Sequence, residues 1–192
     1  MLQRSKVLEL KSMEKTRDTR YLKNYTLTYK NKAGKEKRYE IVSRSNMSGP
    51  EELGKRSSGV SIVVYSEDRE RILLLKEFRM GVNSYVMNNV AGMIEPGETM
   101  EECIARELYE EAGLEVKEIL DILPPAFAAV AISDTKTNTA YVVAREGEIS
   151  DHTSDNEEII PGFYTKEEVR ELLRTEEFSA RTQVICYAFC NG

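Results

Sequence analysis

The rhythm of apolar and polar positions changes along this chain. Between 24 and 43 the period is two. Tyr25, Leu27 and Tyr29 alternate with polar residues, a Lys-Ala-Gly-Lys turn containing Gly34 follows, and Tyr39 and Ile41 alternate on the way back. A half-buried strand has this pattern, so the segment predicts a β-hairpin. A lone hairpin is marginal in water and must pack on something. Residues 45–59 are rich in Ser and Gly and poor in apolar side chains, which predicts a connector. Beyond it the alternation gives way to continuous apolar runs. Residues 60–65, 72–78 and 84–90 are read as strands, the first two joined by a polar turn. Residues 99–112 predict a helix, with Thr99 as cap, Glu102 completing a capping box and Gly113 as the stop. Strand-like runs follow at 116–123, 127–132 and 139–144, with Pro124 and Pro125 expected to break the first from the second. Residues 146–158 are polar. Thr165 and Glu168 repeat the capping box, and 180–190 reads as a final amphipathic helix. Strands and helices alternate irregularly, which predicts a mixed α/β sandwich rather than a doubly wound parallel sheet.

Composition adds bounds. With 192 residues the chain suits one medium domain plus a small extra one, and 41% hydrophobic content permits a sizeable core. The charge is uneven. Residues 1–46 carry 13 basic and 5 acidic side chains, and the rest of the chain carries 14 and 28. A basic arm beside an acidic body has three readings: nucleic-acid or membrane contact, capture of an anionic small molecule, or packing on an acidic partner. The acidic body opposes the first, so neither nucleic acid nor membrane is expected as a partner. Cys103, Cys186 and Cys190 show no paired zinc spacing, and His152 is the one histidine, so no Cys/His metal site is expected. The cysteines are read as core residues and His152 as an exposed loop residue. Few cysteines, no secretory signal pattern and no apolar run of spanning length predict a cytoplasmic protein.

The unusual segment is 91–116, which crowds eight glutamates around one helix. At 3.6 residues per turn, Glu107, Glu110 and Glu111 share a face, and Ile104, Leu108 and Ala112 form an adjacent apolar stripe. Clustered like charges are unfavourable unless solvated or bound to a cation, and hard divalent cations prefer carboxylate oxygens. An acidic helix face alone is most often simply solvated. The wider spacing is more specific: Gly92, five residues, Glu98, seven residues, Arg106-Glu107-Leu108, one residue, Glu110-Glu111, one residue, Gly113-Leu114.

This pattern is identified as the signature of the Nudix hydrolases, matched at every defined position. The resemblance implies a Nudix-like α/β/α sandwich with a mixed sheet, and a loop–helix–loop that binds Mg²⁺ or Mn²⁺. It implies hydrolysis of a nucleoside diphosphate linked to another moiety. Glu107 and Glu111 would be metal ligands, Glu110 a further ligand or a water-orienting base, and the Ala91 carbonyl would complete the shell. Glu98, counted with the metal set, and Arg106, counted with the catalytic residues, would join loop and helix through a charge-assisted contact.

The order of parts resembles the ADP-ribose pyrophosphatase branch. That likeness implies an N-terminal β-rich extension over 1–46, a catalytic domain over 57–192, and a homodimer. Arg44 and Arg79 would grip a diphosphate or ribose phosphate. In the acidic loop 154–159, Asp155, Glu157 and Glu158 are candidates, with Asp155 expected as the base and Glu157 as an extra metal ligand. Two departures matter. Asn88 stands where the branch usually has a glutamate, and Ser133 and Asp134 stand where it tends to carry a Ser-Pro-Gly stretch. Asn88 and Asp134 are therefore the expected substrate contacts most open to change. The expected activity is metal-dependent cleavage of ADP-ribose or a similar nucleoside diphosphate sugar, to a nucleoside monophosphate and a sugar phosphate. The alternatives are another nucleotide sugar such as GDP-mannose, or a nucleotide-sensing module without turnover.

Overall fold

The structure, a computed structural model, describes residues 8–150 and 152–192. They fall into two compact units, one built from 8–58 and 125–137 and the other from 59–124 with the described residues of 138–192.

In the first unit β1 (Glu9–Asp18), β2 (Lys23–Lys30) and β3 (Glu36–Ser43) form an antiparallel sheet in that order. The predicted hairpin is β2–β3, with Gly34 at φ +75° in its turn. The strand it packs beside, β1, was not foreseen. Register shifts between Leu10 and Ser12 and between Lys15 and Arg17 destroy its alternation. Tyr25, Leu27, Ile41 and Met47 are buried together, with Leu10 and Met13 packed against them. The Tyr25 hydroxyl donates to Ser45 O at 3.1 Å and accepts from Met47 N–H at 2.7 Å, so this tyrosine is a core strut. The connector holds a single short turn, Pro50–Glu52.

In the second unit β4 (Ser57–Tyr65), β5 (Arg71–Arg79), β8 (Val116–Phe127), β9 (Lys136–Ala144) and β10 (Ile159–Thr165) line up in the order β10-β5-β4-β9-β8. Two short strands join this sheet: β6 (Ser84–Asn88) pairs with β5 and β7 (Val90–Met93) with β4. The central runs are continuously apolar because both faces are covered. Ile62, Val64, Leu73 and Leu75 face α1 (Met100–Ala112), burying Cys103, Ile104, Leu108 and Ala112. Val63, Ile72 and Leu74 face the other way, with Val169 of α2 (Lys166–Thr175) and Cys186 and Cys190 of α3 (Ala180–Asn191). The mixed α/β sandwich expected from the sequence is thus observed, and all three cysteines are buried and free. No helix among the described residues is long and apolar enough to cross a membrane.

Three local expectations need correction. Pro124 and Pro125 do not break a strand, since β8 runs through them to Phe127. β8 ends the strand order, and an edge strand loses little when its outward N–H is missing. The run 127–132 is not a strand beyond Phe127 but enters a turn, with Ile132 and Ser133 N–H both donating to Ala129 O. Finally, α3 is not cleanly amphipathic, because Val184 and Tyr187 are largely exposed.

Candidate functional site

Where the sequence suggested one strand over 84–90, the chain changes partner at Asn89. Its N–H donates to Thr182 Oγ1 at 3.1 Å, and its side chain accepts from that hydroxyl at 2.9 Å. A backbone donor that has left one ladder is satisfied by α3, and β7 is delivered onto β4 in register Val60–Gly92 and Ser61–Ala91.

Three consecutive β7 residues then engage α1. Ala91 N–H donates to Glu111 Oε2 at 3.0 Å. Gly92 lies against Glu107 so closely that a Cβ there would sit 1.6 Å from Oε1. Met93 O accepts from Arg106 Nη2 at 3.0 Å. The glycine is required by the approach of a carboxylate to backbone.

The helix begins as expected, with the Thr99–Glu102 capping box in place, and ends at Gly113 with φ +69°. A Cβ on Gly113 would also lie 2.1 Å from Ser150 Oγ. The loop it admits closes the helix end. Ser150 N–H donates to Ala112 O at 3.0 Å and His152 N–H to Glu110 O at 2.8 Å, satisfying carbonyls that a helix terminus leaves open.

Arg106 organises the acidic groups. Its Nε and Nη2 bind Glu98 at 2.7 and 3.0 Å in a two-pronged pair, and its Nη1 reaches Glu107 Oε1 at 2.8 Å and Glu110 Oε2 at 3.1 Å. Glu98 also accepts from Glu95 N–H at 2.9 Å. Arg106, and secondarily that backbone bond, hold the Glu98 carboxyl down at about 2. Burial acts the opposite way deeper in. It raises Glu107 despite Arg106, and it pushes Glu111 up to about 9, with the charges of Glu107, Glu77 and Glu157 adding to the effect. Burial and the Glu98 charge push the Cys103 thiol up to about 12, so it stays protonated.

A cavity of about 350 Å³ opens over these groups, lined by Glu107, Glu110, Glu111, His152, Thr153, Ser154 and Glu157. Of the loop acids, Glu157 faces the helix carboxylates and accepts from Ser154 Oγ at 3.1 Å. Glu158 is held by the Tyr85 hydroxyl. Asp155 is exposed and outside the cavity lining. His152 is exposed, as expected, but it stacks on Tyr109 with ring centroids 4.9 Å apart and forms part of the cavity wall.

Other candidates are placed elsewhere. Arg79 ends β5 and pairs with Glu77. Asn88 donates from Nδ2 to Glu77 Oε2 at 3.1 Å, and its Oδ1 accepts from Ser179 and Thr182. Arg44 and Asp134 belong to the first unit. Arg44 is exposed, and Asp134 accepts from Gly54 N–H at 3.2 Å beside a groove of about 320 Å³ that Tyr29, Tyr39 and Phe127 also line. Sequence reasoning missed Glu77, which is 8% exposed. Its signal was a lone acid in the apolar run of β5, two residues after Leu75.

The donor set suits a hard divalent cation: oxygens only, two carboxylates buried to 8% exposure, and, among the described residues, no cation paired with Glu111. Among those residues no three acidic, histidine or cysteine side chains converge at ligand spacing, and Glu107 and Glu110 are instead turned to Arg106 Nη1.

Several known proteins are similar to this chain. An ADP-ribose pyrophosphatase of Saccharomyces cerevisiae is 29% identical over 133 residues, covering 68% of this chain and 56% of the relative. An ADP-sugar pyrophosphatase of Mus musculus is 28% identical over 134 residues, covering 68% and 59%. An NAD-capped RNA hydrolase of Schizosaccharomyces pombe is 41% identical, but over 61 residues, 32% of this chain and 16% of the relative. The chain therefore spans little more than half the length of the relatives it matches most extensively. A solved structure described as an ADP compounds hydrolase superposes with TM-score 0.67 at 19% identity, covering 96% of this chain and 92% of its own, which shows a shared fold. The NUDIX domain matches residues 55–184, about two thirds of the chain, and the protein belongs to that family.

Proposed function

We propose that this protein hydrolyses the pyrophosphate bond of ADP-ribose or a similar nucleoside diphosphate sugar, with Mg²⁺ or Mn²⁺, to a nucleoside monophosphate and a sugar phosphate. The observation that carries the reading is the burial of Glu107 and Glu111 against Ala91 and Gly92, two neighbouring carboxylates whose ionised forms a bound cation would stabilise. The relatives support this substrate class. Likeness to the ADP-ribose and ADP-sugar pyrophosphatases runs over 68% of the chain, against 32% for the capped-RNA hydrolase.

Glu107, Glu111, Glu157 and the Ala91 carbonyl would hold the cation, which when bound neutralises the diphosphate and lowers the pKa of water. Arg106 would keep Glu107 and Glu110 positioned, and its pair with Glu98 fixes loop to helix. Glu110, the most exposed of the three helix carboxylates, is placed to accept a proton from the attacking water. Asp155 takes that role only if the loop moves toward substrate. Arg79 would bind phosphate oxygens. The working form proposed is a homodimer.

The test is product release from ADP-ribose, NADH, diadenosine polyphosphates, GDP-mannose, UDP-glucose and an NAD-capped oligonucleotide, with Mg²⁺ and then with EDTA. Metal-dependent release of AMP and ribose 5-phosphate above all others is the expected result. Preference for another member moves the substrate, and no turnover of any member overturns the reading in favour of a sensor.

A further inference from the structure

Glu77 lies on β5 two positions after Leu75 and four after Leu73, both fully buried beneath α1. Side chains at that spacing share a sheet face, so Glu77 continues the α1 face and is itself 8% exposed. Strand packing needs no charge at such a position, and burying a carboxylate is costly unless it is paired. Its pairing is weak. Arg79 binds one oxygen, but the Arg79 side chain is 55% exposed and screened by water. Asn88, opposite Leu75 in register, donates to the other oxygen at 3.1 Å but carries no charge.

Asn88 is itself fixed from behind. Its Oδ1 accepts from Ser179 Oγ at 2.9 Å and Thr182 Oγ1 at 3.2 Å, which leaves the amide N–H directed at Glu77. The molecule thus holds a buried carboxylate in place with one neutral amide and one solvent-exposed cation. Glu77 also stands opposite Ile159 in register, and Ile159 follows Glu157 of the cavity wall by two residues. Glu77 on β5 and Glu111 on α1, each 8% exposed, are both buried on the α1 side of the sheet.

We infer that Glu77 is a further carboxylate of the cation centre, acting with Glu111 to hold Mg²⁺ or Mn²⁺, and that Asn88 and Arg79 are its positioning groups. The inference rests on the cation centre proposed above. It assigns Asn88 a structural task, to steer an acid supplied by the neighbouring strand.

The experiment is a Mn²⁺ titration of the whole chain followed by electron paramagnetic resonance, with thermal unfolding in parallel. Glu77→Gln is expected to weaken Mn²⁺ affinity by about 10–100-fold, the usual cost of losing a supporting group at a metal site. It should leave the metal-free protein at least as stable, since a buried charge has gone. The double variant Glu77→Gln, Asn88→Glu returns a carboxylate to the same face one strand away, and part of the affinity should return. A purely structural Glu77 gives the opposite result, lower stability with unchanged affinity, and that overturns the inference. If Glu77→Gln does not fold, Glu77→Asp keeps the charge but withdraws it, and unchanged affinity there overturns it equally. A Glu77-dependent Mn²⁺ site in a protein that cleaves nothing in the panel would sink the proposed activity and leave this inference standing. Wild-type protein that binds no Mn²⁺ would sink both.

Discussion

Helices α1 and α2 start alike and end differently. Each opens with a threonine whose hydroxyl accepts from the N–H of a glutamate three residues on, and that glutamate returns the bond to the threonine N–H. Each carries acidic residues through its first turn. In α2 the acids stay in water: Glu167 is 80% exposed at its side chain, Glu171 is exposed, and Val169 alone is buried. In α1 the acids at 107 and 111 are buried with the core. The count of carboxylates is therefore not what separates a functional helix from a solvated one. The difference is the surface opposite. β7 presents Gly92, whose missing side chain lets Glu107 reach backbone, and a free N–H at Ala91 for Glu111.

The strongest way to break this contrast is to remove one acid from each helix. Glu111→Gln should cost more activity than the about 10–100-fold typical of a supporting group at a metal centre. Glu171→Gln in α2 should leave kcat and KM unchanged. Steady-state hydrolysis of the preferred substrate reads both, and equal effects would mean that burial of α1 has no bearing on chemistry.

A second, smaller effect appears in metal-free protein. The folded-state pKa of Glu111, about 9, lies above its ordinary value of 4.5. Between those values the folded state holds a proton that the unfolded state has released, so stability must fall as pH rises through the window. Glu107 is shifted in the same direction. In EDTA the unfolding temperature should decline from about pH 5 to about pH 9, since burial raises these carboxyls. Glu111→Gln, which cannot ionise, should flatten the decline, and Glu171→Gln should keep it. Added Mn²⁺ should restore stability most at the alkaline end. A flat wild-type profile in EDTA would show that Glu111 is not held protonated.

The same contrast explains what could be read in advance. The motif glutamates, Arg106, both capping boxes and the Gly113 stop were legible because each is a local pattern at fixed spacing. The strands 60–65 and 72–78 were legible because both faces of the sheet are covered. β10 was not, since Pro161 and Gly162 read as breakers, yet at the edge of the sheet Pro161 sits opposite Leu75 without cost. Glu77 was not, because its meaning depends on Asn88 across a strand pair and on Glu111 across a layer. The placement of Ser150 and His152 was not, because their partners are the last carbonyls of α1. Local spacing marked the candidate ligands, and long-range pairing decides which of the other acids is buried on their side of the sheet.

The smallest expected effect tests whether the shared start of the two helices is as equivalent as it looks. Thr99 Oγ1 accepts from Glu102 N–H at 3.2 Å and Thr165 Oγ1 from Glu168 N–H at 3.3 Å. The backbone N–H of each threonine donates to its glutamate at 2.8 Å. Those bonds hold the Glu102 and Glu168 carboxyls below the usual carboxylate range in the same way. Thr99→Ala and Thr165→Ala should each destabilise the protein by about 1 kcal/mol, the usual worth of such a cap. Their consequences for binding should differ. Fraying the start of α1 loosens the turn beside Glu98, whose grip on Arg106 orders Glu107 and Glu110, so Thr99→Ala should also weaken Mn²⁺ binding. Fraying α2 touches no carboxylate of the centre, so Thr165→Ala should leave it unchanged. Equal Mn²⁺ affinities in the two variants would show that the Glu98–Arg106 pair holds its geometry without the cap.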